Sequence, residues 1–254
     1  MPREKGSLLK MLCGDEPGPI ARILHNLSNG DEGSWGEECI AKLLKNRISD
    51  ALFFRNVYVP VEDRTTELDI VMAAWNGIYI FESKAYGGKI YGHPDHMEWM
   101  QYIGRTKNSF YNPVKQNENH CRHLSKALQI PRGSVFSYIV FENRADLSNV
   151  PILTGSNFVV CNRGWLMEAL SDTLSARAPA FSQEKYDFIR AKLEEWSNPE
   201  NSVKERHIQQ VQERIFGDIC PVCGRNLTER KGKYGAFIGC AGYPQCKYTR
   251  AIKR

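Results

Sequence analysis

The sequence has no apolar run long enough to cross a membrane. A transmembrane helix needs about 18 consecutive apolar residues, and none occurs in the 254 residues of the chain. The charged first residues are followed by an apolar stretch that is too short for a secretory leader. With 42% apolar and 25% charged residues, the composition indicates a globular protein. We therefore expect a cytoplasmic protein without a membrane partner.

A strong overall charge is also missing, because the formal net charge is only +5. The charge is unevenly distributed, however, since residues 217–254 contain eight Lys or Arg and two Asp or Glu. A basic segment of this kind attracts polyanions such as nucleic acids. The C-terminal tail is therefore the part of the chain that we expect to contact a polyanion.

The cysteines do not form the pattern of a disulfide framework. Four of the eight lie far apart in apolar or helical contexts, namely Cys13, Cys39, Cys121 and Cys161. The other four form a C-x2-C pair and a C-x5-C pair in the basic tail, and they are Cys220, Cys223, Cys240 and Cys246. Four thiolates at such spacing suit tetrahedral Zn²⁺. Two disulfides are the alternative, which a cytoplasmic location disfavours.

The pattern of helices and strands predicts an α/β fold with a mixed sheet between helices. Apolar residues recur at helical spacing after Ser34 and again after Asn112-Pro113, with strand-like runs between and beyond them. We divide the chain into an N-terminal helical extension (1–33), a core (34–145), a strand and helices that complete the core (146–200), a helical linker (201–216) and a zinc-binding tail (217–254).

The most informative segment is a β-hairpin predicted at Asn76-Gly77, since this dipeptide favours a two-residue turn between apolar strands. With these residues at the tip, Asp69 faces Lys84 and Val71 faces Glu82. Side chains alternate along a strand, so Glu82 and Lys84 share one face. Two carboxylates and a lysine are thus expected on one patch, where they can hold a hard divalent cation beside a phosphate. An ordinary cross-strand ion pair, worth ~0.2–1 kcal/mol, is the alternative.

Four motifs within residues 33–145 resemble the nuclease-related (NERD) domain of the PD-(D/E)XK nuclease superfamily. They are GSWGEE at 33–38, ELD at 67–69, GIYIFESKAYGG at 77–88 and NPVKQNENH at 112–120. The sequence departs from the superfamily's name in one place, where Leu68 replaces proline. The resemblance implies a restriction-endonuclease-like mixed sheet flanked by helices, and a nuclease that depends on Mg²⁺ or Mn²⁺.

The resemblance also implies roles for the residues of the hairpin. Asp69, Glu82 and the backbone carbonyl of Ser83 would hold the metal ion. Lys84 would orient the attacking water or offset developing charge.

Two residues on the flanking helices complete the implied site. Glu37 would be a further acid, although it also fits a capping box that requires no catalysis. Gln116 would be a supporting polar contact to substrate or to Lys84. His120 and His123 share its helical face, and we interpret them as a polar helix surface rather than as ligands.

The tail resembles the four-cysteine zinc ribbons of bacterial type I topoisomerases through CPxCG, GKYGAFIGC and YPQC. Such ribbons bind single-stranded DNA, so the resemblance implies the same for this tail. Aromatic side chains that stack on bases alternate there with cations that follow phosphates. The candidate residues are Lys231, Lys233, Tyr234, Tyr243, Lys247, Tyr248 and Arg250. Packing of the small ribbon core is the alternative for the aromatic residues.

These expectations combine into a Mg²⁺-dependent phosphodiesterase that cuts DNA, with a Zn²⁺ ribbon that binds it. RNA is left open as a substrate, and a homodimer is a further expectation for a nuclease of this kind. A catalytically inert nucleic-acid-binding protein on the same scaffold is the main alternative. A thiol redox module at Cys220-x2-Cys223 is a weaker one.

Overall fold

The computed structural model describes residues 35–151, 158–175, 178–216, 218, 220, 225–232, 235–246 and 248–251. The expected N-terminal helical extension (1–33) lies outside these residues. The chain divides into two units, one made of the residues up to 61 together with 66–198, and the other of 62–65 and 199–254. In the described ranges, no helix is long and apolar enough to span a membrane.

The first unit contains four α-helices and the strands of two sheets among the described residues. The helices are α1 (Trp35–Arg47), α2 (Pro113–Leu128), α3 (Leu166–Ser175) and α4 (Gln183–Ser197). The strands are β1 (Leu52–Val61), β2 (Arg64–Ala74), β3 (Gly77–Lys84), β4 (Gly88–Tyr91), β5 (Glu98–Ile103), β6 (Thr106–Tyr111), β7 (Val135–Phe141), β8 (Ala145–Asn149) and β9 (Phe158–Asn162). The second unit holds α5 (Asn201–Phe216), β10 (Leu227–Gly232), β11 (Gly235–Cys240) and β12 (Thr249–Ala251).

A five-stranded mixed sheet in the order β1-β2-β3-β7-β9 forms the centre of the first unit. Strand β3 pairs antiparallel with β2 and parallel with β7, which in turn pairs parallel with β9. Residues of α2 and α4 pack on one face of this sheet, and residues of α1 and α3 pack on the other. The predicted α/β fold with a mixed sheet between helices is confirmed.

Strand β3 lies in the middle of this sheet, and its first seven residues are buried. Such a continuous apolar run is typical of a strand that is covered on both faces. Ile78 and Ile80 contribute to the core beneath α2 and α4, whereas Tyr79 and Phe81 contribute to the core beneath α1 and α3. Because side chains alternate, the polar end of β3 directs Glu82 toward the α2 side.

The β2–β3 hairpin exists, but its predicted register is wrong by two residues. Ala74 pairs with Gly77, Val71 pairs with Ile80, and Ile70 pairs with Phe81. The turn residues are therefore Trp75 and Asn76 rather than Asn76 and Gly77, so Asp69 does not face Lys84 and Val71 does not face Glu82. The shift is even, which keeps each side chain of β3 on its expected face.

Tertiary contacts explain why the turn lies one residue earlier than the dipeptide predicts. The ring of Trp75 stacks on Tyr186, with centroids 4.5 Å apart, and Asn76 Nδ2 donates to the Leu174 carbonyl at 2.8 Å. A Cβ on Gly77 would lie 2.5 Å from Phe136 Cε2. Gly77 is thus the first residue of β3 and allows close packing against Phe136 of β7, and it is not one of the two turn residues.

A second sheet in the order β6-β5-β4-β8 completes the first unit. Strands β4 and β5 belong to the strand-like runs predicted between the helices that follow Ser34 and Asn112-Pro113, whereas β6 and β8 are not predicted individually. Both of these strands are short and mainly polar, and each has one buried residue, Phe110 in β6 and Ala145 in β8. One buried side chain is too little to produce an apolar alternation in the sequence.

Helix α2 begins where the Asn112-Pro113 signal predicts. Asn112 is completely buried, and its Oδ1 accepts the N–H of Val114 at 2.9 Å and that of Lys115 at 3.4 Å. Pro113 occupies the first helical turn, where no N–H is needed. This start sets which residues of α2 lie over the end of β3.

Candidate functional site

Glu82 is the centre of a buried polar cluster at the end of β3. Its side chain is only 4% exposed, and its Oε1 accepts the Lys84 ammonium at 2.6 Å and the Gln116 amide at 2.7 Å. A buried carboxylate is costly unless it is paired and hydrogen-bonded. The two donors offset that cost and fix the orientation of the carboxylate.

Lys84 is held between two side chains that sequence analysis assigns to the same site. Its Nζ donates to Glu82 Oε1 and to Gln116 Oε1, the latter at 3.1 Å. The lysine side chain is 13% exposed, so this ammonium is largely withdrawn from solvent. Gln116 bonds to both partners and therefore connects helix α2 to the Glu82-Ser83-Lys84 segment of β3.

The Asp69 side chain contacts the backbone of β3 rather than a side chain of that strand. Its Oδ2 accepts the N–H of Ser83 at 3.0 Å. Leu68 and Val71 pack in the same apolar cluster although they are three residues apart, so the strict alternation of β2 is interrupted between them. The register shift by itself removes Asp69 from the position opposite Lys84, and the interruption lies where the Asp69 carboxylate contacts the Ser83 N–H.

The first turn of α1 lies against the same end of β3, on the opposite side from α2. A Cβ on Gly36 would be 2.8 Å from Ser83 Oγ and 3.3 Å from Glu142 Oε1, so only glycine allows this approach. Glu37 follows directly and is 9% exposed. The structure thus brings the helix of Glu37 to the strand of Glu82 and Ser83, and the role of the Glu37 carboxylate stays a prediction.

The sequence interpretation of His120 as part of a polar helix surface is incomplete. Its Nδ1 lies 3.5 Å from Glu82 Oε2, and its side chain is 12% exposed. Both carboxylate oxygens of Glu82 therefore have neighbours from α2. The i, i+4 spacing of Gln116 and His120 is the sequence signal that placed them together.

The buried cysteines of the core show no sign of nucleophilic chemistry. Burial raises the pKa of the Cys121 thiol to about 12, and it raises that of Cys161 to about 12. A thiol with such a pKa is protonated at neutral pH and is a weak nucleophile. This agrees with their prediction as isolated cysteines in apolar surroundings.

Three of the four predicted zinc ligands converge in the second unit. The Sγ atoms of Cys220, Cys240 and Cys246 all lie within 4.8 Å of one another, and the three side chains are buried. Among the described residues this is the only group of three His, Cys, Asp or Glu side chains with ligand atoms so close together. Cys223, the expected fourth ligand, lies outside the described residues.

The surroundings of the cysteine cluster fit a zinc ion. The Gly242 N–H donates to Cys240 Sγ at 3.2 Å, a contact that stabilises a thiolate. A Cβ on Gly242 would lie 2.7 Å from Arg225 Nη1 and 3.3 Å from Cys240 Sγ, so the backbone wraps closely around the sulfurs. Thiolate ligands in a tight loop are the donor set that Zn²⁺ prefers.

The predicted DNA-binding residues of the tail are only partly described. Lys233, Tyr234 and Lys247 lie outside the described residues, and Arg250 lies in β12 at the position paired with Ile238. Tyr243 is 61% exposed.

The remaining two residues of this set differ in exposure. Lys231 is an exposed residue of β10. Tyr248 packs instead against the cysteine cluster, so the alternative of ribbon packing accounts for at least part of its side chain.

Comparison with known families matches both parts of the chain. Residues 32–142 match the model of the nuclease-related domain, and residues 217–254 match that of the topoisomerase DNA binding C4 zinc finger. The chain carries a nuclease-related (NERD) domain and a topoisomerase-type zinc ribbon. The NERD domain contains the Glu82 cluster, and the ribbon contains the three converging cysteines.

Individual relatives cover one part or the other. An uncharacterized protein of Bacillus anthracis is 30% identical over 125 residues, which is 48% of this chain and 58% of that protein. DNA topoisomerase 1 of Methanocaldococcus jannaschii is 47% identical over 57 residues, 22% of this chain and 7% of the topoisomerase. The chain thus spans less than two thirds of the length of each relative. No solved structure matches the chain.

Proposed function

We propose that the NERD domain is a metal-dependent phosphodiesterase that cleaves DNA, and that the zinc ribbon holds the DNA. The observation that carries this proposal is the buried Glu82 carboxylate. Its Oε1 accepts hydrogen bonds from Lys84 Nζ at 2.6 Å and from Gln116 Nε2 at 2.7 Å. Three polar side chains gathered at the end of a buried central strand are costly to maintain. A catalytic role gives a reason for that cost.

The donors at this end of the sheet fit Mg²⁺ or Mn²⁺. Asp69 and Glu82 supply carboxylate oxygens from neighbouring strands, and Ser83 between them offers a backbone carbonyl. Mg²⁺ keeps several waters and needs few protein ligands. When bound there, the ion supplies Lewis-acid activation of phosphate and water.

The protein's own groups account for the remaining chemistry. Lys84 has three N–H donors, two of which Glu82 and Gln116 engage. The third suits a phosphate oxygen or the attacking water, and its positive charge favours the additional negative charge that develops during hydrolysis. Gln116 restricts the ammonium to this position, and His120 Nδ1 lies 3.5 Å from the second oxygen of Glu82.

DNA binding by the ribbon rests on its charge and its exposed aromatic ring. The Arg230 guanidinium lies 5.7 Å from the centre of the Tyr243 ring, and the same group donates to the Cys240 carbonyl at 2.9 Å. An aromatic face beside a fixed cation suits an unpaired base beside a phosphate. The basic excess of residues 217–254 acts in the same direction.

A cleavage assay across metals and substrates tests this proposal. Labelled single-stranded DNA, duplex DNA and RNA are incubated with the full chain and Mg²⁺, Mn²⁺, Ca²⁺ or no added divalent ion. We expect cleavage of DNA with Mg²⁺ or Mn²⁺ and little without them. Salt-sensitive DNA binding without turnover under every condition would instead support the alternative of a catalytically inert binding protein.

A further inference from the structure

The second sheet of the NERD domain has one buried face and one face directed to solvent. Ile90, Trp99 and Phe110 pack into the core. The alternate residues of β4, β5 and β6 lie on the other side, which we call the outer face. Its tyrosines and lysines are Tyr91, Tyr102, Tyr111, Lys89 and Lys107.

Exposed apolar side chains are concentrated on this sheet. Of the nine large hydrophobic residues that are exposed in the described ranges, four fall within residues 91–111. Two of them are tyrosines of the outer face, Tyr91 at 41% exposure and Tyr111 at 38%. The other two are not on the outer face, since Met97 precedes β5 and Ile103 alternates with Tyr102. The outer face therefore presents two exposed tyrosine rings beside the half-buried Tyr102.

Cations flank the aromatic rings of the outer face. In the strand register Tyr102 pairs with Lys89 on one side and with Lys107 on the other. Lys107 Nζ lies 5.8 Å from the centre of the Tyr102 ring, and the Tyr91 and Tyr102 rings are 5.2 Å apart at 71°. An aromatic pair with a lysine on each side therefore lies in the middle of the face.

The charge of the outer face is positive around this pair. Lys89, Arg105 and Lys107 are all exposed, and Arg105 lies in the turn between β5 and β6. Of the two acids on this face, Asp146 on the edge strand β8 pairs with Lys89 and offsets part of its charge, whereas Glu98 lies at the opposite end of β5. Three cations around an aromatic pair suit a chain that alternates phosphates with bases, because cations contact phosphates and aromatic faces stack on bases.

We propose that the outer face is a second nucleic-acid-binding site, which takes single-stranded nucleic acid. Bases stack on Tyr91 and Tyr102, and phosphates contact Lys89, Arg105 and Lys107. Strand β4 directly follows β3 in the chain, and Gln101 Nε2 fixes its start by donating to the Gly87 carbonyl at 2.8 Å. Only residues 85–87 separate the end of β3 from the start of β4, and the site binds whether or not cleavage occurs.

Binding without added divalent ion tests the site apart from catalysis. The affinity of the full zinc-loaded chain for a fluorescein-labelled single-stranded oligonucleotide, as DNA and as RNA, is measured by anisotropy at fixed salt. Tyr91→Ala and Tyr102→Ala are each expected to weaken binding about fivefold or more. Tyr102→Phe keeps the ring and should bind like the wild type.

The matched control is Phe188→Ala on α4. Phe188 is 39% exposed and has Lys185 Nζ 4.6 Å from its ring centre, so it has the same chemistry outside the outer face. We expect unchanged affinity for this variant. An oligonucleotide of abasic sites with the same phosphates should lose little affinity on Tyr102→Ala, because it offers no base to stack.

Photocrosslinking of the wild-type chain to an oligonucleotide that contains 5-iododeoxyuridine gives a readout independent of any variant. Adducts on Tyr91 or Tyr102 are expected. The proposal is overturned if all adducts lie in the ribbon, if the tyrosine variants bind like the wild type, or if Phe188→Ala weakens binding equally.

Discussion

At the scale of single residues, Glu82 is the centre of the candidate site. Its carboxylate is buried, and α2 and β3 both contribute neighbours within 3.5 Å. Sequence reasoning identified Glu82, Lys84 and Gln116 because a short motif and a helix start carry them. The i, i+4 spacing put His120 on the helix face of Gln116, but its approach to Glu82 Oε2 at 3.5 Å required the structure.

Gln116 provides a prediction at this scale, because it bonds to both charged partners of the cluster. Gln116→Leu should lower the cleavage rate about tenfold while leaving the fold intact, since Lys84 loses its second acceptor and becomes less well positioned. Single-turnover kinetics check the rate, and circular dichroism checks the fold. Asn119→Ala is the control on the same helix, because the Asn119 side chain accepts a hydrogen bond from Arg122 at the surface. An equal loss of cleavage rate in both variants would refute the positioning role of Gln116.

The register of the β2–β3 hairpin shows what local sequence does not determine. Asn76-Gly77 indicated that a hairpin forms, and the even periodicity of β3 put Glu82 and Lys84 on one face. The turn itself is set by Trp75 on Tyr186 and by Asn76 on the Leu174 carbonyl. Residues a hundred positions away therefore shift the pairing, and no local pattern reports them.

At the scale of elements, the start of α2 determines where Gln116 and His120 lie. Asn112 caps the helix with Oδ1, and its Nδ2 donates to the carbonyls of His93, Pro94 and His96 at 3.1, 2.8 and 2.6 Å. One side chain therefore joins the helix to the loop between β4 and β5. The Asn-Pro signal predicted the cap, but not these three bonds.

Asn112→Asp should lower the free energy of unfolding more than a substitution that removes an ordinary helix cap. The aspartate keeps the acceptor for the helix, but it removes the donor of three part-buried bonds and places a carboxylate oxygen against the three carbonyls. We expect a cost of about 3 kcal/mol. Urea unfolding monitored by circular dichroism measures this change. Ser182→Ala removes the exposed cap of α4, whose Oγ accepts the Lys185 N–H at 3.3 Å, and should cost about 1 kcal/mol. Equal stability of Asn112→Asp and the wild type would show that the carbonyl bonds contribute nothing.

At the scale of the whole molecule, the chain contains two units that are stabilised in different ways. The first has apolar clusters on both faces of its central sheet. The small sheet of the second has a core made largely of the cysteines themselves. A unit of that size depends on its metal, because its apolar core is too small to be stable alone.

Removal of zinc should therefore unfold the ribbon and leave the NERD domain folded. We expect about one zinc ion per chain, released by a chelator or by a thiol-modifying reagent. Limited proteolysis should then cut within residues 217–254 while the first unit stays protected. Absence of zinc from the purified protein, or labile thiols that cycle between oxidised and reduced states, would favour a redox module instead.

Single-turnover cleavage of labelled DNA at saturating Mg²⁺ tests most directly whether the Glu82 cluster supports hydrolysis of phosphodiester bonds. Glu82→Gln preserves the shape of the side chain and should lower the rate by at least about a hundredfold, because it removes a charge from the metal site. Glu38→Gln changes a neighbouring acid that pairs with Arg55 and Lys42 at the surface, and it should cut DNA like the wild type. Cleavage by folded Glu82→Gln at the wild-type rate would contradict the account.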